Sequence, residues 1–176
     1  MKVFIAGARA ISNLNDDIKN RLRTIYIKKI TVLIGDANGV DKAVQKFFYD
    51  VRYKDVIVYA MEGRTRNNIG NWNVENVELD GKKTGFEYYA TKDLKMAEDA
   101  DYGFMIWNGK SKGTLNNIIN MVELNKKTLV YFMPKNQYYC INDKEDFKKL
   151  INICDKEVGL LAEKLLNRSL QMMLFN

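Results

Sequence analysis

Histidine is missing from this sequence of 176 residues. Without an imidazole, the chain has no Ser-His-Asp or Cys-His triad, and it lacks the usual nitrogen ligand of protein-bound zinc. Any acid–base chemistry must therefore use Asp, Glu, Lys, Tyr or Cys side chains. We expect neither a metal site nor a cofactor.

Cysteines and long apolar runs are also scarce. The two cysteines, Cys140 and Cys154, do not form a C-x-x-C pair, and we expect both to be reduced. The apolar run near the start of the chain is far shorter than the ~18–20 residues that a membrane-spanning helix needs, and it is unlike a signal peptide. These features predict a cytoplasmic protein that does not interact with a membrane.

The composition is that of a globular protein with a basic surface. An apolar content of 47% in a chain of this length is enough for one good core and short for two. The formal charge of +6 and the isoelectric point near 9.1 favour an anionic partner, such as a nucleotide or a nucleic acid. A surface that is merely rich in lysine would give the same totals.

Short apolar runs alternate with helical patterns along the first 134 residues. The runs predict five buried strands, at residues 3–6, 30–35, 56–60, 102–107 and 128–133. The alternation predicts an α/β fold with a doubly wound, mainly parallel five-stranded Rossmann-like sheet in residues 1–134. Beyond Pro134, a short extended piece, "YYCI", leads into further helical patterns. We interpret residues 135–176 as a helical extension of the same domain and as a surface for homo-oligomer formation.

The segment from Glu62 to about Gly85 shows no sustained periodicity. An irregular stretch of this length is more typical of a functional lid than of a simple connection. Arg64 and Arg66 are candidates for phosphate binding, and Trp72 could stack on a base or fix the segment to the core. The pieces "WNV" and "VEL" indicate a small hairpin.

Three predicted strands end in glycine-containing turns, "AGAR", "GDANGVD" and "NGKSKGT". Glycine lets the backbone approach a phosphate closely, and the helix that follows directs its free N–H groups toward the anion. None of the turns matches a Walker loop or the dinucleotide-binding fingerprint. The three together nevertheless predict a phosphate-binding site, because parallel strands end at the same edge of a sheet.

The sequence resembles the Rossmann-like SLOG superfamily. The resemblance covers roughly residues 2–133 and is carried by "FIAGAR", "LIGDANGVDKAV" and the block from Gly85 to Ile118. This group includes the lonely-guy phosphoribohydrolases, the DNA-processing protein A family, and small phage and bacterial proteins. The resemblance implies a nucleotide or nucleotide-derived ligand at the strand-end turns.

One departure from the relatives bears on catalysis. Lonely-guy enzymes carry a glutamate in a G-T-x-x-E pattern, and the matching position here is Asn117. An amide cannot act as nucleophile or base at a glycosidic bond. Glu87, at the end of the irregular segment, is the candidate replacement, although it could equally be a carboxylate that favours the start of a helix.

The sequence therefore leaves three functions open. The first is capture or sensing of a nucleotide or an ADP-ribose-like ligand, the second is hydrolysis of an N-glycosidic bond in nucleoside monophosphates, and the third is binding of single-stranded nucleic acid.

The candidate site residues come from the three turns, from the irregular segment and from the helix that follows it. Lys92, Asp93 and Met96 are expected to form one helix face beneath the last turn, and Asp41 is expected to cap a helix or to bind a ribose hydroxyl. The candidate ligand-binding residues are Gly7, Ala8, Arg9, Gly35, Asp36, Gly39, Asp41, Arg64, Arg66, Trp72, Gly109, Lys110, Ser111, Gly113, Thr114 and Asn117.

Overall fold

Strands and helices alternate along most of the chain. The computed structural model describes residues 1–79, 81 and 84–175, with side chains as far as Arg168. The strands are β1 (Lys2–Gly7), β2 (Thr31–Ile34), β3 (Val56–Met61), β4 (Asn73–Val77), β5 (Tyr102–Trp107), β6 (Thr128–Phe132) and β7 (Gln137–Ile141). The helices are α1 (Asp16–Ile27), α2 (Val40–Asp50), α3 (Gly85–Asp99), α4 (Lys112–Glu123), α5 (Lys144–Asn152) and α6 (Lys156–Phe175), with a 3₁₀ turn at Met133–Lys135.

The strands form one sheet with the spatial order β4-β3-β2-β1-β5-β6-β7. All neighbouring strands are parallel except β6 and β7, which are antiparallel. The chain moves outward from β1 to β4, and α3 then returns it across the sheet to β5. The strand order therefore reverses between β1 and β5, which is where α/β sheets open a crevice for ligands.

Helices cover both faces of the sheet. Helices α1 and α2 pack on one face, where Leu22 and Val44 join Ile5 in a buried cluster. Helices α3 to α6 pack on the other face, where Met96 and Ile118 join Phe4. Central strands that are covered on both sides appear in the sequence as continuous apolar runs. The predicted α/β class with a mainly parallel sheet is confirmed.

The predicted number of strands was wrong, because the extended pieces that form the two edge strands were not counted as strands of the sheet. Strand β4 has the sequence NVENV, and all of its residues except Val77 are exposed. Strand β7 is half-exposed and pairs through its backbone with the outer side of β6. Edge strands of this kind bury little side-chain surface, so their sequences carry a weak apolar pattern.

The irregular segment is a crossover rather than one long lid. It leaves the carboxyl end of β3 and returns to the amino end of β4, because Met61 pairs with Val77 while Ile57 pairs with Asn73. "WNV" therefore leads into a parallel strand, and the expected hairpin was wrong. The Gln45 side chain fixes this crossover to α2 by donating to the carbonyl of Asn67 and accepting from the N–H of Ile69.

No helix within the described ranges combines the length and the apolar character that a membrane crossing requires.

Candidate functional site

A cavity of about 620 Å³ opens at the point where the strand order reverses. Its walls come from the ends of β1 and β5 and from the first turns of α2, α3 and α4. The lining residues are Ala6, Gly7, Ala8, Arg9, Ala10, Ala37, Asp41, Arg66, Gly85, Phe86, Tyr89, Ala90, Lys92, Asp93, Met96, Asn108, Lys110, Ser111, Gly113, Thr114 and Asn117. Charged groups of both signs therefore meet in one crevice of a size suited to a small ligand.

The amino end of α4 offers backbone donors to this cavity. The side chain of Asn108 accepts from the N–H groups of Lys110 and Ser111, at 3.1 and 2.9 Å, and this fixes the turn after β5. Ser111 caps the helix and accepts from Thr114. Within the described chain, the N–H groups of Lys112 and Gly113 have no acceptor. Two unpaired donors and the positive end of the helix dipole are thus available to an anion.

A buried ion-pair network lies beneath the turn after β2. The Asp36 carboxylate accepts from Lys92 Nζ at 2.7 Å, and both side chains are only 3% exposed. The Arg66 guanidinium also binds Asp36 through two side-chain donors, at 3.0 and 2.6 Å. Burial alone would raise the pKa of Asp36, but the hydrogen bonds from Arg66 and the charge of Lys92 outweigh it and hold the pKa well below its ordinary value. Asp36 is therefore a fixed negative charge that is fully neutralised inside the protein.

Two further carboxyl groups face the cavity without such neutralisation. Burial, assisted by the charge of the neighbouring Asp93, raises the pKa of Asp41 to about 7 despite the opposing charge of Lys92. Burial also raises the pKa of Asp93. With its nitrogen directed toward these acceptors, the Asn117 amide donates to Asp93 Oδ2 and to the carbonyl of Gly113, each at 3.3 Å. The floor of the cavity can therefore accept hydrogen bonds or exchange a proton near neutral pH.

An aromatic ring between two arginines forms another wall. The guanidinium carbon of Arg9 lies 5.1 Å from the centroid of the Tyr89 ring, and that of Arg66 lies 4.7 Å away. Arg66 is held by Asp36, whereas Arg9 makes no hydrogen bond to any described residue. Nearby, Lys112 Nζ lies 4.0 Å from the centroid of the Phe86 ring. The exposed Arg9 is thus the cation of this wall that can most readily move to an incoming anion.

Glycine is required for different reasons at different positions of the three turns. A Cβ at Gly7 would lie 2.5 Å from the carbonyl oxygen of Ile106, and one at Gly35 would lie 2.5 Å from Asp41 Oδ2. Gly39 has φ of 82° and packs against the backbone of Arg9. Packing within the protein therefore accounts for these three glycines. A Cβ at Gly113, in contrast, would meet nothing within 4 Å, and Gly113 itself lines the cavity.

The structure brings most of the sequence-predicted site residues together, but not all. The predicted residues that line the cavity are Gly7, Ala8, Arg9, Asp41, Arg66, Lys110, Ser111, Gly113, Thr114 and Asn117. Gly35, Asp36, Gly39 and Gly109 lie behind the lining, where they shape the turns.

Three predicted residues lie outside the cavity. Arg64 is exposed and does not line it. Trp72 is buried in the core on the α1 and α2 face of the sheet, where its indole donates to the carbonyl of Tyr53 at 2.9 Å. This contact fixes the segment to the core, which is the second of the two roles considered for Trp72. Glu87 is absent from the lining of the cavity and pairs with Arg168. The physical reason is helical geometry, since α3 turns Phe86 and Tyr89 inward and thereby turns Glu87 outward.

Several lining residues had no signal in the sequence. Phe86, Tyr89 and Asn108 looked like ordinary positions in a helix and a turn. Once α3 is placed over the crevice, the spacing of Phe86, Tyr89 and Asp93 puts them on one face. That placement depends on the return of the chain across the sheet, which local periodicity does not reveal.

Comparison with known proteins supports the fold and goes no further. Neither the protein-family models nor the curated proteins include a match to this chain. Among solved structures, the fold is similar to that of DNA processing protein A from Helicobacter pylori, a protein that binds single-stranded DNA. The two structures superpose with a TM-score of 0.59 and 14% sequence identity, over 96% of this chain and 81% of the other. The similarity therefore concerns the fold. DNA processing protein A belongs to one of the families named with the sequence resemblance above.

Proposed function

We propose that the crevice between β1 and β5 binds a nucleotide or a nucleotide-derived ligand. The observation that carries the proposal is the meeting, in one cavity, of Gly113, whose N–H has no acceptor among the described residues, with the carboxyl groups of Asp41 and Asp93. Backbone donors at a helix start suit a phosphate. Carboxylates suit the hydroxyl groups of a ribose or the amino groups of a base.

The positions of the charged side chains favour one orientation of the ligand in the cavity. Lys110 and Arg9 are exposed at the rim of the cavity, while the buried Asp41 and the half-buried Asp93 form its floor. A phosphate placed at the floor would meet two carboxyl groups, which disfavours it electrostatically. We therefore place the phosphate at the rim, and the sugar or base against the floor and the Tyr89 ring.

Binding is tested by calorimetric titration with the nucleoside 5′-monophosphates, with the matching nucleosides and with inorganic phosphate. The proposal expects the monophosphates to bind more tightly than either fragment, because they engage the rim and the floor together. Native mass spectrometry of the freshly purified protein would in addition detect a retained nucleotide. Absence of binding by every compound in the panel would contradict the proposal.

Single-stranded nucleic acid is the second candidate ligand of the crevice. The fold similarity to DNA processing protein A favours it, as does the formal charge of +6. In this case the crevice would hold one nucleotide of a strand, and a mononucleotide would compete weakly with an oligonucleotide. Competition of a labelled 20-residue oligonucleotide against nucleoside monophosphates separates the two candidates.

A further inference from the structure

A second basic surface lies at the opposite edge of the sheet from the crevice. Because α1 and α2 run antiparallel to the strands, both helices end at the amino edge of the sheet. The first ends in the sequence Y-I-K-K (residues 26–29), and the second is followed by R-Y-K (residues 52–54). We call these residues, together with Tyr49 in the last turn of α2, the amino-edge surface.

The two helices end in the same backbone motif. The N–H of Lys29 donates to the carbonyl of Tyr26, and the N–H of Arg52 donates to that of Tyr49. The next residues, Ile30 and Tyr53, close the longer bond of a Schellman motif in each case. Each helix therefore presents a tyrosine three positions before a basic residue in the left-handed conformation.

Lys29 and Arg52 have a backbone conformation that is unfavourable for residues with long side chains. Lys29 has φ of 52° and Arg52 has φ of 54°, a conformation that favours glycine or asparagine. Helix α4 ends in the same motif, and there the equivalent position is Asn125, with φ of 54°. Among the helix ends that the structure describes, only these two thus carry a cation where the backbone favours a different residue.

The basic side chains of the amino-edge surface have no partner among the described residues. Among the described residues, Lys28, Lys29, Arg52 and Lys54 form no side-chain hydrogen bond or ion pair. The neighbouring carboxylates are already engaged, since Asp50 binds Lys46 and Asp55 accepts from Thr31. The surface therefore keeps a net positive charge that can act on a partner.

Exposed aromatic rings accompany the charge. Tyr26 is 40% exposed and Tyr49 is 55% exposed. The buried Tyr53 joins the two helix ends, with ring-centroid distances of 5.5 Å to Tyr26 and 5.4 Å to Phe48. The Tyr26 ring is consequently held against a buried partner, which lowers the entropic cost of stacking on a bound base.

We propose that the amino-edge surface binds single-stranded nucleic acid, with bases stacked on Tyr26 and Tyr49 and phosphates bound by Lys29 and Arg52. Aromatic rings beside cations form the usual platform for unpaired bases and their backbone. An acidic peptide would satisfy the charge but would leave the exposed rings without a role. This proposal does not depend on a ligand in the crevice.

The test measures binding of labelled 20-residue oligothymidylate and oligouridylate by fluorescence anisotropy over a range of salt concentrations. The double variant Lys29→Gly/Arg52→Gly removes two charges and also relieves the unfavourable φ at both positions, so the fold is preserved. We expect the slope of log affinity against log salt to fall by about 0.7 for each lost phosphate contact. Controls are Asn125→Gly, which makes the same backbone change at α4, and Lys144→Gln/Lys148→Gln, which removes two exposed charges elsewhere.

A second double variant tests the aromatic part. Tyr26→Leu/Tyr49→Leu should weaken binding at least about fivefold for each ring, whereas the matching Phe variant should bind as the native protein does. Equal affinity of native and Leu variants would overturn the proposal, as would equal losses in the Lys144→Gln/Lys148→Gln control. Loss of oligonucleotide binding on substitution of Gly113 alone would move the nucleic-acid site to the crevice and would also overturn it.

Discussion

The turn after β2 and the turn after β5 look alike in the sequence, since each joins a buried strand to a helix through glycines and polar residues. In the structure, the first is filled by the protein itself. Asp36 is bound by Lys92 and Arg66, and the Gly35 Cα packs against Asp41. The second turn is open, with free N–H groups and space beside Gly113. A glycine turn becomes a candidate ligand site only where internal partners do not already occupy its donors.

The largest expected effect concerns the filled turn. The variant Asp36→Asn would leave Lys92 buried without its closest carboxylate, and removal of one partner from a buried pair typically costs about 3–5 kcal/mol of stability. Urea denaturation monitored by circular dichroism measures this loss. The matched control is Asp50→Asn, which breaks an exposed pair with Lys46 and should cost less than about 1 kcal/mol. Similar losses in both variants would show that the Asp36 network is not what holds this turn.

The next largest effect is expected from a substitution in the open turn after β5. In Gly113→Val, the new side chain meets no protein atom near its Cβ, so the fold should persist, but it enters the space in which we place the phosphate. We expect the affinity for a nucleoside monophosphate to fall at least about tenfold, which is about 1.4 kcal/mol. Calorimetry measures the loss. Gly159→Val is the control, because Gly159 is equally open but lies in α6, away from the cavity. An unchanged affinity in Gly113→Val would contradict the assignment.

The comparison also explains how far the sequence could predict this molecule. The central strands were recognisable because both faces are buried, and the turns because parallel strands end together. The extended pieces at β4 and β7 were not counted in the sheet, because edge strands bury few side chains. The position of Glu87 relative to the cavity could not be predicted, because the rotation of α3 depends on tertiary packing. The division between filled and open turns was equally hidden, because the partners of Asp36 lie 30 and 56 positions away along the chain.

A smaller effect depends on pH. The ordinary pKa of Asp41 is 3.8, and burial raises it to about 7 in the folded protein. Between these values the folded protein keeps a proton that the unfolded chain has released, so the contribution of Asp41 to stability decreases as the pH rises from about 4 to about 7. In Asp41→Asn, the amide oxygen can still accept from the N–H of Ala37, but this decrease should disappear. Denaturation midpoints at pH 5 and pH 7.5 measure it, and identical profiles for the two proteins would contradict the burial of an ionisable Asp41 in the crevice.

The smallest expected effect separates the two carboxylates of α3. Glu87 is half-exposed and pairs with Arg168 outside the crevice, whereas Asp93 faces the cavity beside Asn117. Glu87→Gln should therefore leave nucleotide affinity unchanged and alter stability by less than about 1 kcal/mol. Asp93→Asn should change the affinity, because it removes an acceptor from the floor on which we place the sugar or base. Both variants are measured by the same calorimetric titration and by chromatography for free base released from the nucleoside monophosphates. Release of base that is lost in Glu87→Gln but kept in Asp93→Asn would show that chemistry occurs on the outer face of α3, and it would reverse the assignment of the two carboxylates.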